Sequence, residues 1–220
     1  MKRPAATWPK GPTRWQRGET LYISVPFTWQ LAAVREELVQ GSWYWRRARV
    51  GGPAVDLMPE YLAGIPRVTA GGNEPNVLER VNPMATRTTL GCPRKCAFCG
   101  IGQGRIEAGG FRQLDQFAVR PIVCDNNFLA ASPEHIGRVC AALASQYGWA
   151  DFNQGLDARL MTAEKARTIA SIGKPVCRLA CRSCGSPAIR CHCTQNDRFR
   201  SPRRGRKRLA GGVSPRKGRS

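Results

Sequence analysis

Three cysteines spaced Cys92-x₃-Cys96-x₂-Cys99 stand in the run ThrThrLeuGlyCysProArgLysCysAlaPheCysGlyIleGly. Three thiolates on one tight loop can hold a [4Fe–4S] cube by three corners and leave the fourth iron without a protein ligand. Closed Fe–S and structural zinc sites normally take four protein ligands. A site one ligand short keeps a position for something else to bind, which separates catalytic from structural metal sites. The chain has 10 cysteines in 220 residues, so chance gives this double spacing somewhere about once in 50 such sequences. The surroundings suit a cluster loop. Arg87-Thr88-Thr89-Leu90 can end a strand, Gly91 and Pro93 break regular structure, and Gly100, Gly102 and Gly104 let backbone N–H groups approach sulfur or a ligand.

On these residues the chain resembles the radical S-adenosylmethionine superfamily, whose loop reads Cx₃CxΦC with an aromatic Φ, here Phe98. Val50-Gly51-Gly52-Pro53-Ala54-Val55 and Phe152-Asn153-Gln154-Gly155-Leu156-Asp157-Ala158-Arg159-Leu160 look like members with a cobalamin-binding-type or derived N-terminal domain. The resemblance covers about residues 20–173. It implies that Cys92, Cys96 and Cys99 bind three irons of a [4Fe–4S] cluster, and that S-adenosyl-L-methionine chelates the fourth. It places Phe98 near the adenine and Gly100 in the cofactor loop. It further implies reductive cleavage of the sulfonium to methionine and a 5′-deoxyadenosyl radical acting on an unknown substrate. An external electron donor such as flavodoxin or ferredoxin would be the redox partner. In such enzymes the protein positions and shields a cofactor that carries the hard chemistry.

The elements that must position this loop read as α/β. Leu21–Val25 is a predicted strand, Trp29–Gln40 a helix with Leu31, Val34 and Leu38 at helical spacing, and Arg47–Val50 a strand running into Gly51-Gly52-Pro53. A short helix near Asp56–Leu62 and a strand near Ile65–Thr69 complete a small N-terminal α/β domain over 21–84, behind a flexible basic N-terminus, 1–20. Gly71-Gly72-Asn73 and Asn82-Pro83 mark the linker. Past the cysteines, Pro121–Cys124 reads as a buried strand. A helix capped by Ser132 follows, with Pro133 at N1 and Glu134 in its first turn. Ile136, Val139, Cys140, Leu143 and Tyr147 form its apolar stripe. A third strand runs near Ala150–Gln154. Thr162 caps the next helix, which faces Ala166, Ile169 and Ala170 inward and stops at Gly173. Strand and helix alternating in this way imply parallel pairing, with functional loops at the carboxyl ends of the strands. Residues 85–173 are thus expected to form a partial (βα) barrel of the radical S-adenosylmethionine type, with about three of the six βα units the resemblance implies.

Asp125-Asn126-Asn127 follows the second of these strands, where relatives often carry a Gly-Gly-Glu-like segment for the methionine amino group. This sequence departs from it, and either equivalent acceptors or an Asx turn accounts for the three residues. Asp157 and Arg159, just past the third strand, are candidates for the same cavity or for a surface ion pair. Cys124 and Cys140 read as core residues, and His135 as an exposed or helix-end histidine. No Asp-x-His-x-x-Gly occurs, so cobalamin ligation of that type is unsupported. Tryptophans 8, 15, 29, 43 and 45 read as core packing or as a partner surface.

Residues 174–220 carry 14 Lys and Arg against one Asp, so most of the net charge of +20 sits there. Their few Leu, Ile, Val and Phe predict a largely disordered tail. Three readings stay open for it. Cys177, Cys181, Cys184, Cys191, His192 and Cys193 form a zinc knuckle or auxiliary cluster; Arg203–Arg208 make a basic nucleic-acid-binding appendage; or the tail is a non-native, frame-shifted C-terminus. A zinc-binding nucleic-acid module and an Fe–S electron carrier, the latter needing a fourth ligand such as Cys124, are the alternatives to the radical enzyme. The chain has no stretch of ~18 apolar residues and no apolar core in its basic first 20 residues. The expectation is therefore a cytoplasmic protein without a membrane partner, where clustered cysteines favour metal over disulfide.

Overall fold

In a computed structural model the described residues are 8–41, 45–72, 74–107 and 109–180. They form a mixed α/β protein with two four-stranded sheets. The first sheet is built from β1 (Thr13–Arg17) and β2 (Thr20–Ser24), α1 (Leu31–Gln40), β3 (Arg47–Gly51), α2 (Pro53–Leu57) and β4 (Val68–Ala70). Its order is β1-β2-β3-β4; β1 runs antiparallel to β2, and β2, β3 and β4 are mutually parallel. Residues 31–40 have neither Gly nor Pro, and their apolar side chains recur at i, i+3 and i+7, so the helix buries one stripe. Leu31, Val34 and Leu38 pack there with Leu21, Ile23, Ala48, Val50 and Trp45. Each such fully buried large side chain contributes about 1.5–3 kcal/mol relative to exposure.

The second sheet follows α3 (Val77–Val81). Its first strand is β5 (Ala85–Thr86), and then β6 (Thr89–Leu90) and β7 (Arg112–Gln113) pair with each other outside it. β8 (Ile122–Val123), α4 (Pro133–Gln146), β9 (Trp149–Asp157), α5 (Ala163–Ala170) and β10 (Lys174–Ala180) complete it. All four strands are parallel, in the order β10-β9-β8-β5. The Ser132 hydroxyl accepts from His135 N, and Thr162 does the same for Lys165 N. Ile136, Val139, Cys140 and Leu143 of α4 pack on Val123, Ala150, Phe152 and Leu156.

Several expectations are corrected here. Thr13–Arg17 is a strand rather than part of a flexible leader; as an edge strand it needs no apolar stripe of its own. The helix expected near Asp56–Leu62 divides into α2 and a 3-10 turn over Pro59–Leu62. The third strand of the core extends to Asp157. Lys174–Ala180, assigned by composition to a disordered tail, is strand β10, paired with β9 from Lys174↔Trp149 to Ala180↔Asp157; the first unit of the chain ends at Ala180. On α5 only Ile169 is buried, and Ala166 and Ala170 face solvent. Of the two readings of His135, the helix-end one holds, in the first turn of α4, but the residue is buried rather than exposed. Trp45 is core, whereas Trp29 is 73% exposed. Trp43 and the remaining tail cysteines, Cys181, Cys184, Cys191 and Cys193 with His192, lie outside the described residues. Among the described residues no helix is long and apolar enough to cross a membrane.

Candidate metal centre

The cysteine loop leaves the carboxyl edge of the second sheet. β6 and β7 close its base, with Thr89 opposite Gln113 and Leu90 opposite Arg112. Within it Cys99 N donates to Cys96 O (3.0 Å), Gln103 N to Cys99 O (2.9 Å), and Arg105 N to Gly100 O (2.9 Å). Two glycines are required by this path. Gly91 has φ +69°, and a Cβ there would lie 2.1 Å from Gly110 O. A Cβ on Gly102 would lie 2.7 Å from Cys96 N. The loop therefore folds back on its own cysteines more tightly than any other residue permits. Gly100 is half-buried against Ile106 and Leu57, and the Arg105 guanidinium donates to Leu57 O.

Polar side chains from the next two strand ends hold the loop in place. Asp125, 2% exposed, accepts from Thr88 N (2.6 Å), Thr88 Oγ1 (2.5 Å) and Thr89 N (3.1 Å). Burial pushes its carboxyl above the usual carboxylate range, against the lowering effect of those hydrogen bonds. Asn126 Nδ2 donates to Glu107 Oε2 (2.7 Å). Glu107 also accepts from Gly91 N (2.9 Å) and pairs with Arg87. Asn127 Nδ2 lies 3.5 Å from Cys92 Sγ, as does Arg94 N. At the end of β9, Asp157 pairs with Arg94 (3.0 Å) and with Arg159 (2.8 Å). Burial alone would raise the Asp157 pKa, but hydrogen bonds from Arg159 and the charges of Arg159 and Arg94 bring it below its usual value.

The nominated residues therefore gather on one edge, but their observed contacts are mostly with the loop. Asp125 and Asp157 tie it down, Asn127 faces Cys92, and Phe98 is 64% exposed. Sequence reasoning missed Glu107 and Arg94. Glu107 had a signal: it is the only carboxylate between Glu79 and Asp115, in a stretch that holds Arg87, Arg94, Lys95, Arg105 and Arg112. Its three contacts make it a half-buried hub of the loop.

Cys92, Cys96 and Cys99 are half-exposed free thiols. In kind and number they fit a cluster held by three protein ligands, and N–H groups near Cys92 Sγ are the outer hydrogen bonds that tune such sites. The buried Oδ1 of Asn127 has no hydrogen-bond partner, so an acceptor stands ready beside Cys92 for a donor such as an ammonium. Among the described residues no three His, Cys, Asp or Glu side chains converge at metal-binding distance; the loop must draw its thiols together to grip a cluster. Cys124 is a poor fourth corner. It is 1% exposed, packs with Ala85 and Ile122, and burial pushes its thiol up to about 12. A cavity of about 380 Å³ opens beside the loop, bounded by Pro93, Arg94, Leu129, Ala130, Leu160 and Lys165.

No protein-family model, curated protein or solved structure matches this chain. Fold and site together define a mixed α/β protein whose cysteine loop is anchored by carboxylates at the ends of parallel strands.

Proposed function

We propose that this chain is a [4Fe–4S] protein of the radical S-adenosylmethionine type, and that the second sheet is the opening part of a (βα) barrel. The reading rests on one observation: a Cys-x₃-Cys-x₂-Cys loop placed at the carboxyl edge of parallel strands, the edge where α/β proteins bind ligands. When bound, the cluster would supply one electron to the sulfonium C–S bond, giving methionine and a 5′-deoxyadenosyl radical that takes a hydrogen atom from substrate. The chain's own residues bind and orient. Cys92, Cys96 and Cys99 hold three irons, and Asn127 orients Cys92 and offers its carbonyl oxygen to the methionine amino group. Asp125 and Asp157 keep the loop against the sheet, and the cavity beside Pro93 and Arg94 gives the nucleoside a place to lie.

Anaerobic reconstitution with iron and sulfide, then reduction, tests this by electron paramagnetic resonance. The expected result is a [4Fe–4S]⁺ signal that changes on adding S-adenosylmethionine and is lost in Cys96→Ala. A signal indifferent to S-adenosylmethionine would reduce the protein to an electron carrier. Zinc retained in place of iron would overturn the reading.

A further inference from the structure

The outer face of the first sheet carries side chains that the cysteine site does not use. Strand register sets them in two rows, Trp15–Tyr22–Arg49–Thr69 and Arg17–Thr20–Arg47. Successive residues of a strand point to opposite faces, and the alternate residues Leu21, Ile23, Ala48 and Val50 are buried, so both rows face outward. Arg67 continues the second row, its carbonyl accepting from Ala48 N (2.9 Å). A hollow of about 930 Å³ lies over this face, lined by Tyr22, Arg46, Arg47, Arg49 and Arg67 with Thr20 and Thr69.

The face is more basic than its own contacts neutralise. Arg46 pairs with Glu19 (2.9 Å) and Arg49 with Glu74 (2.5 Å), but no ion pair to Arg17, Arg47 or Arg67 is found among the described residues. Like charges on neighbouring strands destabilise a sheet, so an anion would relieve this arrangement. Arg67 is also held at φ +66°, a left-handed conformation costing a non-glycine residue about 1–2 kcal/mol. Aromatic rings stand among these charges. Trp15 and Tyr22 stack nearly parallel, centroids 5.4 Å apart; Arg17 lies over Tyr22 and Arg80 over Trp15.

Arginines against phosphate with aromatic rings against bases are the means of holding single strands, because only an unpaired base offers its π-face. Four strands at ~4.8 Å spacing make a platform about 14 Å wide, room for two or three splayed bases. The Thr20 and Thr69 hydroxyls stand in the same rows, where a ribose 2′-hydroxyl would find donors and acceptors. We propose that this sheet face binds single-stranded RNA, with Arg47 and Arg67 on phosphates and a base stacked on Tyr22, backed by Trp15, in the place the Arg17 guanidinium now takes over that ring. The proposal is independent of the cluster.

Fluorescence anisotropy of a labelled oligo-uridine about 12 nucleotides long, within the usual range of single-strand site sizes, tests it on the full chain, whose basic 174–220 segment serves as internal competitor. Arg47→Gln/Arg67→Gln, both at exposed positions, should weaken binding about tenfold and flatten the salt dependence by about 1.4 in log–log slope, at ~0.7 per phosphate on a single strand. Tyr22→Leu should weaken binding about tenfold with the slope unchanged, since stacking releases no counterions. Ultraviolet crosslinking should map to Tyr22 or Trp15. Cys96→Ala should bind as the parent does, so loss of the cluster and loss of this face are read separately. Parental affinity and slope in both face variants would place binding on the basic tail and overturn the proposal. Equal affinity for oligo-thymidine or for duplex RNA would overturn the assignment to single-stranded RNA.

Discussion

The two sheets use their polar residues in opposite ways. In the first, β1–β4, one face is a closed apolar core and the other is solvent-facing arginine and threonine; Ser24 is its only buried polar side chain among the described residues. In the second, Thr86, Thr88, Thr89, Asp125, Asn127, His135 and Asp157 are all buried, most of them at the carboxyl edge. Burying a polar group costs stability unless it is hydrogen-bonded, so a sheet with no site to build has no reason to do it. The first sheet displays charge on a face, as a binding surface does. The second buries charge at an edge, as a site that must fix a loop does.

The sharpest way to break this contrast is to remove a carboxylate from each sheet. Asp125→Ala strands two backbone N–H groups and a hydroxyl in a dry interior, each worth about 1–3 kcal/mol when unsatisfied. Chemical denaturation should show a loss of about 4 kcal/mol, together with loss of reconstituted iron. Glu74→Ala, which removes the half-buried partner of the exposed Arg49, should change stability by no more than about 1 kcal/mol. Asp125→Asn separates charge from geometry. Its carbonyl can still accept from Thr88 N and Thr89 N, and its amide can donate to Thr88 Oγ1. Because the folded pKa of Asp125 is raised, the aspartate's contribution is present below its unfolded pKa and is lost as pH climbs through the folded value. Asn should abolish that decline on the alkaline side of pH 4, and an unaltered pH profile would refute the assignment.

Next in size are the turns. Gly91→Ala puts a methyl 2.1 Å from Gly110 O at φ +69°; the left-handed penalty and the displaced loop should together cost about 3 kcal/mol and lower iron content at full protein recovery. Gly18→Ala in the β1–β2 turn meets open space at φ +55°, so only the backbone penalty of about 1 kcal/mol remains. Thermal denaturation of the pair checks the ratio. Equal losses would mean that the cysteine loop is no tighter than an ordinary hairpin turn.

What was legible in the sequence was local. The α4 cap at Ser132, Pro133 behind it and the stripe from Ile136 to Leu143 are signals within one turn or one helix, and they are found where expected. β1 and β10 were missed because both are edge strands. Thr13–Arg17 has no apolar face, and Lys174–Ala180 has its few apolar residues diluted by the charge that follows; what makes each a strand is a partner elsewhere in the chain. Strand-end positions revealed Asp125, Asn127 and Asp157 as members of one edge. Their contacts were not legible, because Asp125 reaches back 37 residues to Thr88 and Asp157 reaches back 63 to Arg94.

His135 carries the same lesson and the smallest predicted effect. Its place in the first turn of α4 was readable, but its burial depends on Phe117, whose ring centroid is 5.9 Å away on another segment. Its Nδ1 lies 3.1 Å from Arg138 Nη2, so Nδ1 accepts and the buried Nε2 carries the proton. Burial first, and the Arg138 charge second, hold the imidazole pKa below its usual value, with Asp125 and Asp115 opposing them. A depressed folded pKa means that the unfolded chain takes up the proton first. Stability is therefore full above about pH 6.5, the unperturbed histidine value, and is lost as pH falls through the folded value. Urea midpoints measured from pH 7.5 down to pH 5 should decline in the parent and flatten in His135→Gln, which keeps an acceptor for Arg138 but cannot titrate. The first sheet contains no histidine, so a decline that persists unchanged in His135→Gln would have to come from outside the buried polar set and would erase the electrostatic difference between the two sheets.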